Sequence, residues 1–141
     1  MKFAAWNLHH QAKRKGIPPS IEAAIAGLAV DVLVLNEFVD GPGRGWFRAC
    51  LDRVGLGHQV LSHPTARHNQ ILIAAREPVF VGELQAPTFD GSARSNFLHV
   101  VLGSTGLELI GLRVPAYEPA ADLRAYNAQL AESWAPSASG G

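Results

Sequence analysis

Asn7 and Glu37 close two short strand-like runs, and they are the residues of this chain best suited to chemistry. The runs are Lys2-Phe3-Ala4-Ala5-Trp6-Asn7 and Asp31-Val32-Leu33-Val34-Leu35-Asn36-Glu37-Phe38. In open α/β sheets, ligands bind outside the carboxyl ends of the strands. A carboxylate and an amide brought to that edge by neighbouring strands could hold a hard divalent cation and a phosphate oxygen. Mg²⁺ or Mn²⁺ suits such a pair, because a hard cation takes oxygen ligands, keeps several waters and needs few carboxylates from the protein. Alternation along the strand sends Asn36 and Phe38 to the face opposite Glu37. Each residue also fits a plainer part. Glu37 can be a solvated charge at a strand end, and Asn7 a turn residue bonding its own backbone.

The elements that must position this pair follow from local patterning. Residues 2–6 and 30–36 are short apolar runs of the kind that form strands covered on both faces. Between them a polar loop over 9–19 ends in Pro18-Pro19. Ser20 is the expected N-cap of a helix, with Glu22 in its first turn and Ile21, Ala24, Ile25 and Leu28 on one face. Strand, helix, strand over this length is a βαβ unit, so the first two strands should be parallel. Gly41-Pro42-Gly43 breaks the chain before a second helix over about 44–54. Residues 58–62, 70–75, 79–83, 96–102 and 107–113 read as short strands. Gly103-Ser104-Thr105-Gly106 reads as the hairpin turn joining the last two in antiparallel fashion. A third helix is expected over about 120–134. Residues 135–141, rich in Ser and Gly, are expected to be a flexible tail. The fold class is α/β (α+β): a mixed β-sheet with flanking helices, about seven strands and three helices.

Composition sets bounds. A chain of 141 residues with 48% hydrophobic and 17% charged content can bury a core without staples. Twelve Lys and Arg balance twelve Asp and Glu, so no global basic field argues for nucleic acid. Lys13-Arg14-Lys15 is the one dense basic run; it lies on the expected site edge, where it could attract a polyanion or simply be solvated. The single cysteine, Cys50, sits in an apolar helix face and reads as a core residue. No histidine spacing suggests a zinc site: His9 and His10 fall in a loop, His63 and His68 flank a polar hairpin, and His58 and His99 lie within strands. The missing Gly-rich turn after the first strand argues against a dinucleotide fold. No apolar run approaches the roughly 20 residues that a membrane span needs, and a cytoplasmic location is expected.

Taken together, the Trp6-Asn7 strand end and the Asn36-Glu37 strand end resemble the endonuclease/exonuclease/phosphatase superfamily, the DNase I-like fold. The likeness extends to Asn69-Gln70-Ile71-Leu72-Ile73-Ala74-Ala75-Arg76 and to Ile110-Gly111-Leu112-Arg113-Val114-Pro115, and covers residues 1–134. The resemblance implies the N-terminal half of a four-layer α/β sandwich that hydrolyses phosphate esters, nucleic acid among the candidate substrates, with Mg²⁺ or Mn²⁺. Within it, Glu37 matches the metal-binding glutamate, and Asn7 the asparagine supporting the metal and phosphate. Arg113 stands where relatives place a Tyr or His on the phosphate; its planar fork suits that anion. Tyr117 and His68 are further candidate phosphate contacts. The family's later Asp-x-Asn motif and Asp-His pair occur nowhere in these residues. The expectation is therefore a chain that is weakly active or inactive alone. The alternative is a non-catalytic module, associating with a missing C-terminal half or with itself through an uncovered sheet face.

Overall fold

A computed structural model of the protein describes residues 1–9, 18–39, 41–65, 68–86, 94–114 and 128. The expected third helix, the C-terminal tail, Tyr117 and the Lys13-Arg14-Lys15 run lie outside the described residues. The elements in chain order are β1 (Phe3–Asn7), α1 (Pro19–Leu28), β2 (Val32–Phe38), α2 (Arg44–Arg53), β3 (His58–Leu61), β4 (Gln70–Ala75), β5 (Val79–Val81), β6 (Phe97–Leu102) and β7 (Glu108–Leu112). A 3₁₀ turn over Arg94–Asn96 leads into β6. All seven expected strands are present. The fold is α+β.

The strands divide between two sheets, where the sequence suggested one. The first has the order β1-β2-β4-β3 and the second β5-β6-β7. β1 and β2 run parallel, with Phe3 opposite Val32 and Asn7 opposite Asn36, as the βαβ pattern requires. β2 pairs antiparallel with β4, and β4 with β3, which makes the sheet mixed. β6 and β7 form the expected antiparallel hairpin across residues 103–106.

Two apolar layers hold the sheets in place. Leu33, Leu35, Phe38, Leu72 and Ala74 pack under α1 and α2 against Ile25, Phe47, Cys50 and Leu51. Val32, Ile71, Ile73 and Ala75 face the other way, onto Leu98, Val100 and Leu102 of the second sheet. β4 is thus buried at every position, which explains its unbroken apolar run. Burial pushes the Cys50 thiol up to about 11, so the reactive thiolate is scarce and the residue behaves as core.

The second sheet therefore covers the face of the first that the sequence left open. The exposed apolar side chains Phe80, Val81 and Ile110 belong to the second sheet itself. By alternation, Ile110 shares its outer face with His99, its cross-strand partner. His99 is buried there. Its Nδ1 accepts the Leu84 N–H at 3.0 Å, and its Nε2 meets Glu108 Oε2 at 3.1 Å. Gly82 makes room for the ring, since a Cβ at that position would lie 2.1 Å from Nδ1.

Ser20 is not the N-cap of α1. The helix begins at Pro19, with Pro18 in the capping position and no side-chain cap. Proline suits the first helical turn, where a missing N–H costs nothing, and this moves the start two residues earlier.

Gly111 sets the spacing between the sheets. A Cβ there would lie 2.9 Å from Ile71 Cγ2, closer than real contacts allow. Gly111→Val should destabilise the protein by about 1–3 kcal/mol through overpacking. Gly27→Ala, where nothing lies within 4 Å of the added methyl, should stabilise α1 by about 0.5–1 kcal/mol. Urea denaturation of both variants checks the pair of opposite signs.

Candidate functional site

The carboxyl ends of β1, β2, β3 and β7 and the amino ends of β4 and β6 meet at one rim of the molecule, a consequence of the strand registers. The rim is shaped by an irregularity in β2. Leu35 pairs with Leu72 and Phe38 with Gln70, so Asn36 and Glu37 together stand opposite Ile71. This is a β-bulge, two residues against one. Its cause is apolar. Leu35 and Phe38 both enter the core beneath the helices, and residues three apart cannot share a face on a regular strand. Phe38 is fixed there by an edge-on contact with Phe47, ring centroids 5.9 Å apart, and by the Arg44 guanidinium 5.4 Å above its ring.

The bulge places Glu37 at φ +59°. A left-handed conformation costs a non-glycine residue roughly 1–2 kcal/mol and persists only where the surroundings impose it. It also corrects the expected side-chain directions. Phe38 does point away from Glu37, into the helix-side core. Asn36 instead follows Val32 and Val34 by alternation, toward the second sheet. Glu37 is turned to that same side, where it meets Arg113.

Arg113 leaves β7 beside the 3₁₀ turn and is gripped by Asn96 at two points. Its backbone N–H donates to the Asn96 carbonyl at 2.9 Å, and Nη1 donates to Asn96 Oδ1 at 3.3 Å. Nη2 then stands 3.5 Å from Glu37 Oε1, a long ion pair between side chains 23% and 15% exposed. Glu37 and Arg113 are therefore brought together across the gap between the sheets.

Asn7 reaches the same rim on the neighbouring strand, but its cross-strand partner is Asn36. Its Oδ1 accepts the His9 N–H at 2.9 Å, closing a turn with His9 at φ +46°. One lone pair of that amide oxygen thus serves the local backbone. His68 is exposed; its N–H donates to the Thr65 carbonyl at 3.0 Å, and it makes no hydrogen bond or ion pair with Glu37 or Arg113.

A buried polar ladder beside this pair escaped the sequence reading. Ser62 Oγ donates to the Ser95 carbonyl at 2.6 Å and accepts the Ile71 N–H at 2.9 Å. Gln70 Nε2 donates to the Ser62 carbonyl, and Gln70 Oε1 accepts from Arg44 Nη2 at 2.7 Å. The available signal was the polar triplet Arg94-Ser95-Asn96 directly before an apolar strand. Two buried oxygens, Asn36 Oδ1 and Ser95 Oγ, have no hydrogen-bond partner. Such atoms are rare and call for an explanation.

Asn36 Oδ1 bears on whether a cation fits. It is a neutral oxygen acceptor, adjacent in the chain to the Glu37 carboxylate and turned by the bulge to the same side. Those are donors of the type that Mg²⁺ and Mn²⁺ take. Among the described residues, no group of three or more His, Cys, Asp and Glu could enclose a metal. Asn36 Oδ1 is shut off from solvent, so a cation that kept its waters would reach the Glu37 carboxylate and not this oxygen. Among the same residues, no helix is long and apolar enough to cross a membrane. Comparison of the sequence with protein-family models and with curated proteins found no match.

The strain at Glu37 is measurable. Glu37→Gly and Glu37→Ala both remove the ion pair, but only glycine relaxes at φ +59°. Glu37→Gly should therefore be the more stable by about 1 kcal/mol, the reverse of the usual order within strands. Chemical denaturation of the two variants side by side checks it.

Proposed function

We propose that this chain is a divalent-metal-dependent phosphoesterase or nuclease-like domain of the endonuclease/exonuclease/phosphatase kind, corresponding to the N-terminal half of the DNase I-like sandwich. The observation that carries the reading is the meeting of Glu37 and Arg113 at one rim between two packed sheets. The resemblance of the strand-end motifs supports it, as does the layering of helices on a sheet and that sheet on a second.

Under this reading, Glu37 holds the cation, Mg²⁺ or Mn²⁺, with help from Asn7. Asn7 closes the rim on the neighbouring strand. When bound, the ion supplies Lewis-acid polarisation of a phosphoryl oxygen. Arg113 presents its fork to the phosphate and stabilises the charge that develops on it. Asn96 orients the guanidinium. Ser62, Gln70 and Ser95 keep the wall rigid through their hydrogen bonds. No Asp-x-Asn or Asp-His sequence is present to position and activate the attacking water, so turnover by this chain alone should be low or nil.

A second reading is a non-catalytic module that acts through association. The exposure of Phe80 (59%) and Ile110 (49%) on the outer face of the second sheet favours it, because apolar exposure on one face invites a partner.

Thermal unfolding separates the two. Mn²⁺ at about 100 times its dissociation constant should stabilise the wild-type protein by about 2.7 kcal/mol and leave Glu37→Gln unmoved. Identical unfolding with and without Mn²⁺ would remove the metal from the reading. Vigorous Mg²⁺-dependent cleavage of a phosphodiester reporter, lost in Glu37→Ala, would overturn the expected low activity.

A further inference from the structure

The end of β5 carries features that the Glu37 rim does not use. β3 and β5 contact one another across the two sheets, and β5 stops at Val81. The Gly82 N–H still donates to the His99 carbonyl at 2.9 Å, as a further rung of the ladder would. Two residues on, the Leu84 N–H turns to the His99 ring instead of the backbone of β6. The chain leaves the sheet there, and a cavity of about 320 Å³ opens at the departure. That volume lies at the small end of the range for ligand pockets.

The lining has a definite chemistry. Leu61, Val81, Leu84, Phe97 and Leu98 make it largely apolar, and Val81 (71%) and Leu84 (51%) are left exposed on it. His63 and Arg94 line it as well, and neither side chain has a hydrogen bond or ion pair with a described residue. His99 supplies no spare donor, because Leu84 and Glu108 engage both of its ring nitrogens. No Asp or Glu lines the cavity, and Arg94 is its one permanent charge. A buried bond sets the two basic residues in place. Ser62 Oγ donates to the Ser95 carbonyl at 2.6 Å; His63 follows the one serine and Arg94 precedes the other. The end of β3 is thereby tied to the 3₁₀ turn, and both residues come to the same cavity.

We propose that this cavity binds a small carboxylate with a compact apolar body. Arg94 takes the head through its planar fork, which matches a carboxylate in shape and charge. His63 borders the head, and Val81, Leu84 and Phe97 receive the body, which covers apolar surface now left in water. A single permanent charge suits a monoanion better than a phosphate dianion. Neither Glu37 nor Arg113 lines the cavity, so the site stands apart from the metal reading and does not depend on it.

The test is an NMR titration of the full chain with phenylacetate, read at the backbone amides. Those of Gly82, Leu84 and Phe97 should shift and saturate, with a Kd on the order of a millimolar, the range expected of so small a ligand. Arg94→Met should weaken phenylacetate about fivefold or more, the loss of one charge-assisted contact at a partly screened site. Benzyl alcohol, the neutral control, should bind both proteins alike and less tightly than phenylacetate binds the wild type. Equal phenylacetate affinity in wild type and Arg94→Met would overturn the proposal, as would the absence of saturable shifts at these amides. Shifts centred on Glu37 and Arg113 instead would also overturn it, by placing the anion at the other site. Should circular dichroism find Arg94→Met unfolded, benzylamine carries the test in the wild type. This cation of similar body should bind at least about fivefold more weakly than phenylacetate, and equal binding would overturn the proposal.

Discussion

The rim of this protein depends on one packing demand: Leu35 and Phe38 must both lie beneath the helices. Three positions apart on a strand of period two, they cannot do so without an extra residue between them. The bulge at Asn36 and Glu37 is that residue, and the left-handed backbone at Glu37 follows from it. Phe47 and Arg44, packed on the Phe38 ring, hold the demand in force. The polar groups are thus oriented by apolar side chains that pack on the opposite side of the sheet.

A second constraint acts across the gap. Ile71 stands opposite the bulge on β4 and also lies nearest the missing side chain of Gly111 on β7. The same residue therefore sets the position of Glu37 on one side and the approach of the second sheet on the other. Arg113 follows Gly111 by two residues, so the distance between the sheets governs how near its guanidinium comes to Glu37. The hydrogen bond of Ser62 to Ser95 and the ion pair of Arg113 with Glu37 tie the two sheets at that end.

The elements were legible because their signals are local. Apolar runs bounded by Gly and Pro located all seven strands, and the strand-helix-strand order fixed the parallel pair. The assembly of the strands into two sheets was less legible, since sheet membership depends on contacts far apart in sequence. At the site, Glu37, Asn7 and Arg113 could be named from strand ends, and the structure gathers Glu37 with Arg113. Strict alternation misses the turn of Glu37 to the side of Asn36. Yet the clue was in the chain, as an apolar pair at the odd spacing of Leu35 and Phe38. Ser62, Gln70, Ser95 and Asn96 gave little warning, because buried hydrogen bonds between loops and strand ends carry no periodicity. Ser20 was passed over as a cap because a proline pair ahead of it offered an earlier start.

His99 shows how a reactive residue type can be withdrawn from chemistry. Its Nδ1 accepts a backbone N–H, so the ring hydrogen resides on Nε2 and is directed at Glu108. Both nitrogens are engaged and the tautomer is dictated by the peptide at Leu84. Gly82 lies against the ring, where any side chain would collide with it. The imidazole therefore works as a rivet between the segment that follows β5 and the outer face of the second sheet.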